Sequence, residues 1–256
     1  MKKAAIISAI ALVTSIGGQA FAQQAINVSQ FMNSNISATT VGIAHDVCCN
    51  VGFSALAGAN LAEVTGTASS VSWNNDQRFR GDATAITVGQ VGNIGGNVAL
   101  DSAAFANNAT GSFAGAHEVS INSVQQNWID PTAYTTANVF NIGGNVSATA
   151  QANGNVLNAA APNAATFNVS AQQYGGAAMN GSVNLTAQNI TGDVTGITRG
   201  FGNSMTLSAG GNMNIVGQQT MVAPINTTTF ISANNVGGSV IGSSTSLGNV
   251  FSVGNR

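Results

Sequence analysis

Apolar and polar residues alternate along most of this chain, and the alternation comes round again at a fixed interval. One marker reads apolar–Asn/Ser–apolar and then Gln: Ile26-Asn27-Val28 with Gln30, Val71-Ser72-Trp73 with Gln77, and Val119-Ser120-Ile121 with Gln125. Phe167-Asn168-Val169 with Gln172 and Met213-Asn214-Ile215 with Gln218 continue it, at Gln spacings of 47, 48, 47 and 46 residues. Period-two alternation predicts a strand with one face buried. Turn formers follow each Gln, among them Asn33-Ser34-Asn35, Gly81-Asp82, Pro131, Tyr174-Gly175-Gly176 and Pro224, through a fixed φ or tolerance of φ > 0. A Thr-rich second strand is predicted after each turn, over residues 37–43, 83–88, 135–140, 182–187 and 227–231.

A second marker keeps the same beat half a period later. Asn-Ile-Gly-Gly-Asn-Val occurs at Asn93–Val98 and Asn141–Val146, with degraded copies at 46–51, 189–194 and 235–240. Five copies at 46–48 residues define an array of supersecondary units rather than one globular core. The fold class expected is therefore all-β: a β-solenoid or stack of β-arches, each repeat made of two strand–turn–strand halves of roughly 23 residues. Ten such rungs would give a rod on the order of 48 Å. A five-bladed β-propeller is the alternative. Its blades usually carry aromatic and charged motif residues, and this chain is 6% aromatic and 5% charged. The Ala- and Asn-rich stretches 101–116 and 157–165 read as the least ordered parts.

The N-terminus carries a different signal. Lys2-Lys3, the apolar run 4–16 and Ala20-Phe21-Ala22 form a basic, apolar and small-x-small series that predicts a cleaved export signal over residues 1–22. Residues 23–256 then form a single β-repeat domain. That part holds no lysine, and its four Arg against eight acids give a net charge of −4. Nucleic acid and anionic membrane are thereby poor partners, and no later segment is apolar enough to span a bilayer. The repeat region opens on a Gln-marker half and closes on an Asn-Ile-Gly-Gly half, with neither end altered. Uncapped solenoid ends invite end-to-end association, and a heterologous contact that does not close gives a filament. Ile26, Val28, Val236 and Val240 are the candidate polymer interface, and Gln30, Gln77, Gln125, Gln172 and Gln218 a candidate polar ladder.

Candidate chemistry is sparse. Cys48 and Cys49, the only cysteines, stand where other repeats have Gly-Gly. In an exported chain they are a candidate disulfide, crosslinking subunits or closing a rare vicinal bridge, or else two small residues tolerated at a turn. His45 and Asp46 are too close in sequence to converge on a metal. Arg80-Gly81-Asp82 spells an integrin-recognition tripeptide, but with Asp76 and Arg78 it reads as a solvated, locally paired cluster. The eight acids are scattered, and the Gly-Gly pairs precede no helix. We therefore expect no catalytic, cofactor or metal site, and no enzyme.

The Lys-poor, Gly/Asn/Gln/Ser-rich repeats, with Gln30, Gln77, Gln125, Gln172 and Gln218 and with Asn50, Asn97 and Asn145, resemble curlin subunits of curli-type bacterial surface fibres. Asp193 and Ser239 replace the Asn in later copies. The resemblance implies a secreted, amyloid-like, self-assembling subunit of extracellular or cell-surface fibres serving adhesion or biofilm matrix. Its partners would be copies of itself and an outer-membrane export or anchoring apparatus. A non-polymeric surface adhesin or carbohydrate-binding module on a closed β-scaffold is the alternative function.

Overall fold

The computed structural model describes the backbone of Ile10–Thr14 and all of residues 23–255, so the export-signal reading of residues 1–22 falls outside the described residues except for that one stretch. The stretch is a strand, β1 (Ile10–Thr14). The rest is five coils of three strands each. They are β2 (Gln23–Met32), β3 (Ile36–Val47) and β4 (Val51–Thr65), then β5 (Ser70–Phe79), β6 (Ala83–Ile94) and β7 (Val98–Ser112). The third coil is β8 (Glu118–Asn127), β9 (Pro131–Ile142) and β10 (Val146–Ala161). The fourth is β11 (Thr166–Gly175), β12 (Met179–Ile190) and β13 (Val194–Ala209), and the fifth β14 (Asn212–Met221), β15 (Ile225–Val236) and β16 (Val240–Asn255).

Every strand pairs in parallel with its counterpart one repeat away, as in Val98↔Val146 and Val146↔Val194. Three sheets run the length of the stack: β2-β5-β8-β11-β14, β3-β6-β9-β12-β15, and the wide sheet β1-β4-β7-β10-β13-β16. This is a β-solenoid, all-β as expected, and its all-parallel sheets are not the antiparallel blades of a propeller. One repeat makes one coil. The two half-repeats do not stack on each other, so the ten rungs expected become five, and the rod is about 24 Å long at the usual strand spacing. The reason is the third strand. The Ala/Asn-rich stretches read as poorly ordered cover most of the wide strand β7 and the end of the wide strand β10, with the turns that follow them; their small side chains mask a period-two pattern in which alternate residues are buried.

The wide sheet bends in its middle. Two successive residues turn inward there, Ala59-Asn60, Ala106-Asn107 and Gly202-Asn203, as in a bulge that re-aims the strand. The bend divides the interior. One core cluster lies between the first half of the wide sheet and the β3-type sheet, with Leu100, Val139, Val146 and Leu185. The other lies between its second half and the β2-type sheet, with Trp73, Phe113, Phe167 and Leu207.

Candidate functional site

Amide columns, a corner turn and an open end are the three features through which this scaffold can do anything beyond stand. The first column is Gln30, Gln77, Gln125, Gln173 and Gln219, whose Cα atoms are in register. Each Nε2 donates to the Oε1 of the preceding coil's Gln, at 2.7, 2.8, 2.7 and 2.7 Å for Gln77, Gln125, Gln173 and Gln219. Each also donates to a carbonyl of the wide sheet, such as Gln125 to Val156 at 2.8 Å. A buried amide is tolerable only when its bonds are made, and here the stack makes them. Gln172 and Gln218 lie one residue away, on the solvent face. The sequence spacing chose the wrong member of the Gln172-Gln173 and Gln218-Gln219 pairs, because both are Gln and only burial separates them.

A second column was not singled out from sequence. Asn60, Asn107, Asn155, Asn203 and Asn249 stand at the bend of the wide sheet, and each Nδ2 donates to the next coil's Oδ1 at 2.7–2.8 Å. The same nitrogens bond carbonyls of the β2-type strands, for instance Asn155 to Tyr174 at 2.9 Å. The two columns therefore knit the two sheets together, and they run with opposite polarity. Asn recurring at 47, 48, 48 and 46 residues was the available signal, hidden among many other Asn.

The marker phrase forms the corner between the β3-type and wide strands. Its leading Asp46, Asn93, Asn141, Asn189 and Asn235 all have positive φ, 54–58°, a left-handed conformation that Asn and Asp adopt more readily than most residues. Their side chains form a third column: Asn93 donates to Asp46 at 2.8 Å, and Asn141, Asn189 and Asn235 each donate to the coil before. Among the described residues no glycine has positive φ, so the Gly-Gly pairs serve close approach instead. A Cβ on Gly144 would lie 2.3 Å from Asn97 Oδ1 and 2.8 Å from the Gly96 carbonyl carbon. The trailing Asn50, Asn97 and Asn145 and Asp193 accept a hydrogen bond from the next coil's backbone N–H at 2.8–2.9 Å.

Cys48 and Cys49 occupy the Gly-Gly place in the first coil, exposed and free, with their sulfurs 2.8 Å apart. The hydrogen bond to Cys48, with a smaller contribution from burial, raises the Cys49 pKa above an ordinary thiol's, which lowers its thiolate fraction and reactivity near neutral pH. His45 packs against Phe140, ring centroids 5.7 Å apart. Arg78 and Asp76 form an exposed ion pair at 2.9 Å, and the Arg80 guanidinium lies 4.6 Å from the Trp128 ring centroid and 5.8 Å from that of Phe31. Among the described residues no group of three His, Cys, Asp or Glu side chains is placed to hold a metal, and no helix is long and apolar enough to cross a membrane.

The interface candidates do not face one another along a column. Ile26 and Val28 point inward from the first coil and are buried, in the columns of Ile215 and Gly217. Val236 and Val240 belong to the columns of Val47 and Val51. Among the described residues nothing covers the fifth coil. Val240, Phe251 and Val253 are 49, 52 and 46% exposed, whereas their counterparts Val194, Met205 and Leu207 in the fourth coil are at 0%.

An acid-poor, amide-laddered parallel β-solenoid defines a structural repeat protein. Residues 110–256 match the family of holdfast attachment protein D. The chain belongs to that family, which puts it at the bacterial cell surface and in adhesion. The match supports a bacterial surface protein, as the curlin resemblance implies, and does not extend to curlin itself. No curated protein and no solved structure matches the chain.

Proposed function

We propose that the chain is a secreted structural subunit of the attachment apparatus, stacking head to tail into cell-surface fibres. The observation that carries this is the open last coil. Three strand edges and the apolar side chains of Val240, Phe251 and Val253 end without a cap among the described residues, and such an edge is a template for another chain. The columns fit the same partner. Among the described residues Asn249 Nδ2 donates only to the Gln219 carbonyl, at 3.3 Å, and Asn60 Oδ1 in the first coil accepts no hydrogen bond, so the Asn column can pass from one copy to the next.

Before export the first edge is occupied. β1 pairs with Leu61–Thr65, the same stretch that would take Val250–Gly254 of a second copy. Removal of residues 1–22 at export frees it, which restricts assembly to the cell exterior. The subunit acts through copies of itself and an outer-membrane export or anchoring apparatus, with no catalytic step. Negative-stain and cryo-electron microscopy of the exported protein test the reading. Fibres with an axial subunit repeat of about 24 Å support it; discrete particles at all concentrations would refute it and favour a non-polymeric adhesin.

A further inference from the structure

We infer that the joint between two stacked copies is opened at one corner, by Asp46 and Cys49 of the first coil, so that the fibre junction is weaker than any junction inside the subunit. The inference rests on the head-to-tail reading and concerns the β3–β4 turn, where two independent features of the first coil break rules that every later coil obeys.

The first is shape. In the second to fifth coils the second residue of the Gly-Gly pair is always glycine: Gly96, Gly144, Gly192 and Gly238. A Cβ there would fall 2.2–2.4 Å from the side-chain oxygen of the coil before and 2.8 Å from its backbone carbonyl carbon or oxygen. Cys49 has that Cβ. Within the chain it does no harm, because its preceding coil would belong to another molecule. Stacked in register on a second copy, it meets Gly238 and Ser239. Ser239 is shorter than the Asn or Asp of other coils and removes the nearest contact, but the backbone contacts remain, and backbone cannot swing aside as a side chain can. A Cβ at the first position, on Gly95, Gly143 or Gly237, would also fall 2.6–2.8 Å from a backbone carbonyl oxygen of the coil before. Thr191 nevertheless carries a side chain there in the fourth coil, whereas no later coil carries one at the second position, so Cys49 and not Cys48 is the obstacle.

The second is hydrogen-bond polarity. Each left-handed Asn donates its Nδ2 to the Oδ1 of the preceding coil, so Asn235 presents an Oδ1 that accepts nothing at the open end. The residue that would donate to it is Asp46, whose carboxylate already accepts from Asn93. Two acceptors would then face each other where every internal junction has a donor and an acceptor. Rotating Asn235 to present its amide nitrogen forfeits its bond to Asn189. The β2-type sheet and the Asn column at the bend carry no such faults, so a second copy fits there and parts at the β3–β4 corner.

Both faults can be repaired with residues the protein itself uses at the same places, so the fold is not at risk. In the Asp46→Asn, Cys49→Gly variant the critical concentration for assembly, measured by sedimentation of the exported protein, is expected to fall at least tenfold. The filaments should also survive denaturant that fragments wild-type ones. Cys49→Ser keeps the Cβ and removes the thiol, and should behave as wild type. If all three proteins assemble alike, the inference fails while the fibre reading stands. If Cys49→Ser assembles as readily as the double variant, the thiol and not the Cβ is the obstacle, and the inference also fails. If none assembles, both the inference and the fibre reading fall.

Discussion

Two neighbouring glutamines show how little separates structure from surface in this chain. Gln125 is fully buried, donates to Gln77 and Val156 and accepts from Gln173. Its removal orphans buried groups in two coils, and leaving a buried donor or acceptor unpaired costs roughly 1–3 kcal/mol per group. Gln125→Ala should therefore destabilise the protein by about 3 kcal/mol or more. Gln172→Ala, on the solvent face, should stay within about 0.5 kcal/mol of wild type, as surface substitutions usually do. Chemical denaturation of the two variants checks the pair; equal losses would remove the buried column from the account. The ladder as a kind of feature was legible in sequence, and so were Gln30, Gln77 and Gln125. Its later members were not, because adjacent glutamines carry the same chemistry and the alternation near them is blurred by Ala171 and Gly217.

At the scale of the element, the Thr-rich strands were legible because Thr, Val, Ile and Phe, all β-formers, are concentrated over Ala83–Val88 and Thr135–Phe140, the cores of β6 and β9. Their ends ran further than the pattern, since the left-handed Asn at each corner still belongs to the strand. The wide strands were hidden. Ala, Gly and Asn fill both faces of β10, and at the bend four successive buried residues, 152–155, break the period. That loss converted three strands per repeat into two strand–turn–strand halves. The parallel pairing makes a direct prediction for an inner strand. β8 is hydrogen-bonded to β5 on one side and β11 on the other, so Asn122, though its side chain is exposed, has a backbone N–H directed at a neighbour whichever way it points. Asn122→Pro removes that donor and leaves a ladder acceptor unpaired, which should cost roughly 1–3 kcal/mol, read as a lowered thermal midpoint by circular dichroism. A variant that melts as wild type would argue against β8 as a central strand.

For the whole molecule, low charge and laddered amides have one consequence. Each coil is stabilised chiefly by the coils on either side of it, as in other solenoids, and an end coil has only one such neighbour. The exposed fifth coil, the Asn columns whose end oxygens accept nothing among the described residues and β1 lying along Leu61–Thr65 are all statements about that missing neighbour. The most direct measurement places spin labels at Ser29 and Gln218, both exposed and in one column through Asp76, Val124 and Gln172. The labels are introduced as cysteines in a Cys48→Ser, Cys49→Ser background, each on a separate population. Mixed and assembled, they should show strong dipolar broadening, since in-register stacking brings the two backbones to about 4.8 Å. Assembled material without broadening, or broadening only between two Gln218 labels, would contradict head-to-tail stacking.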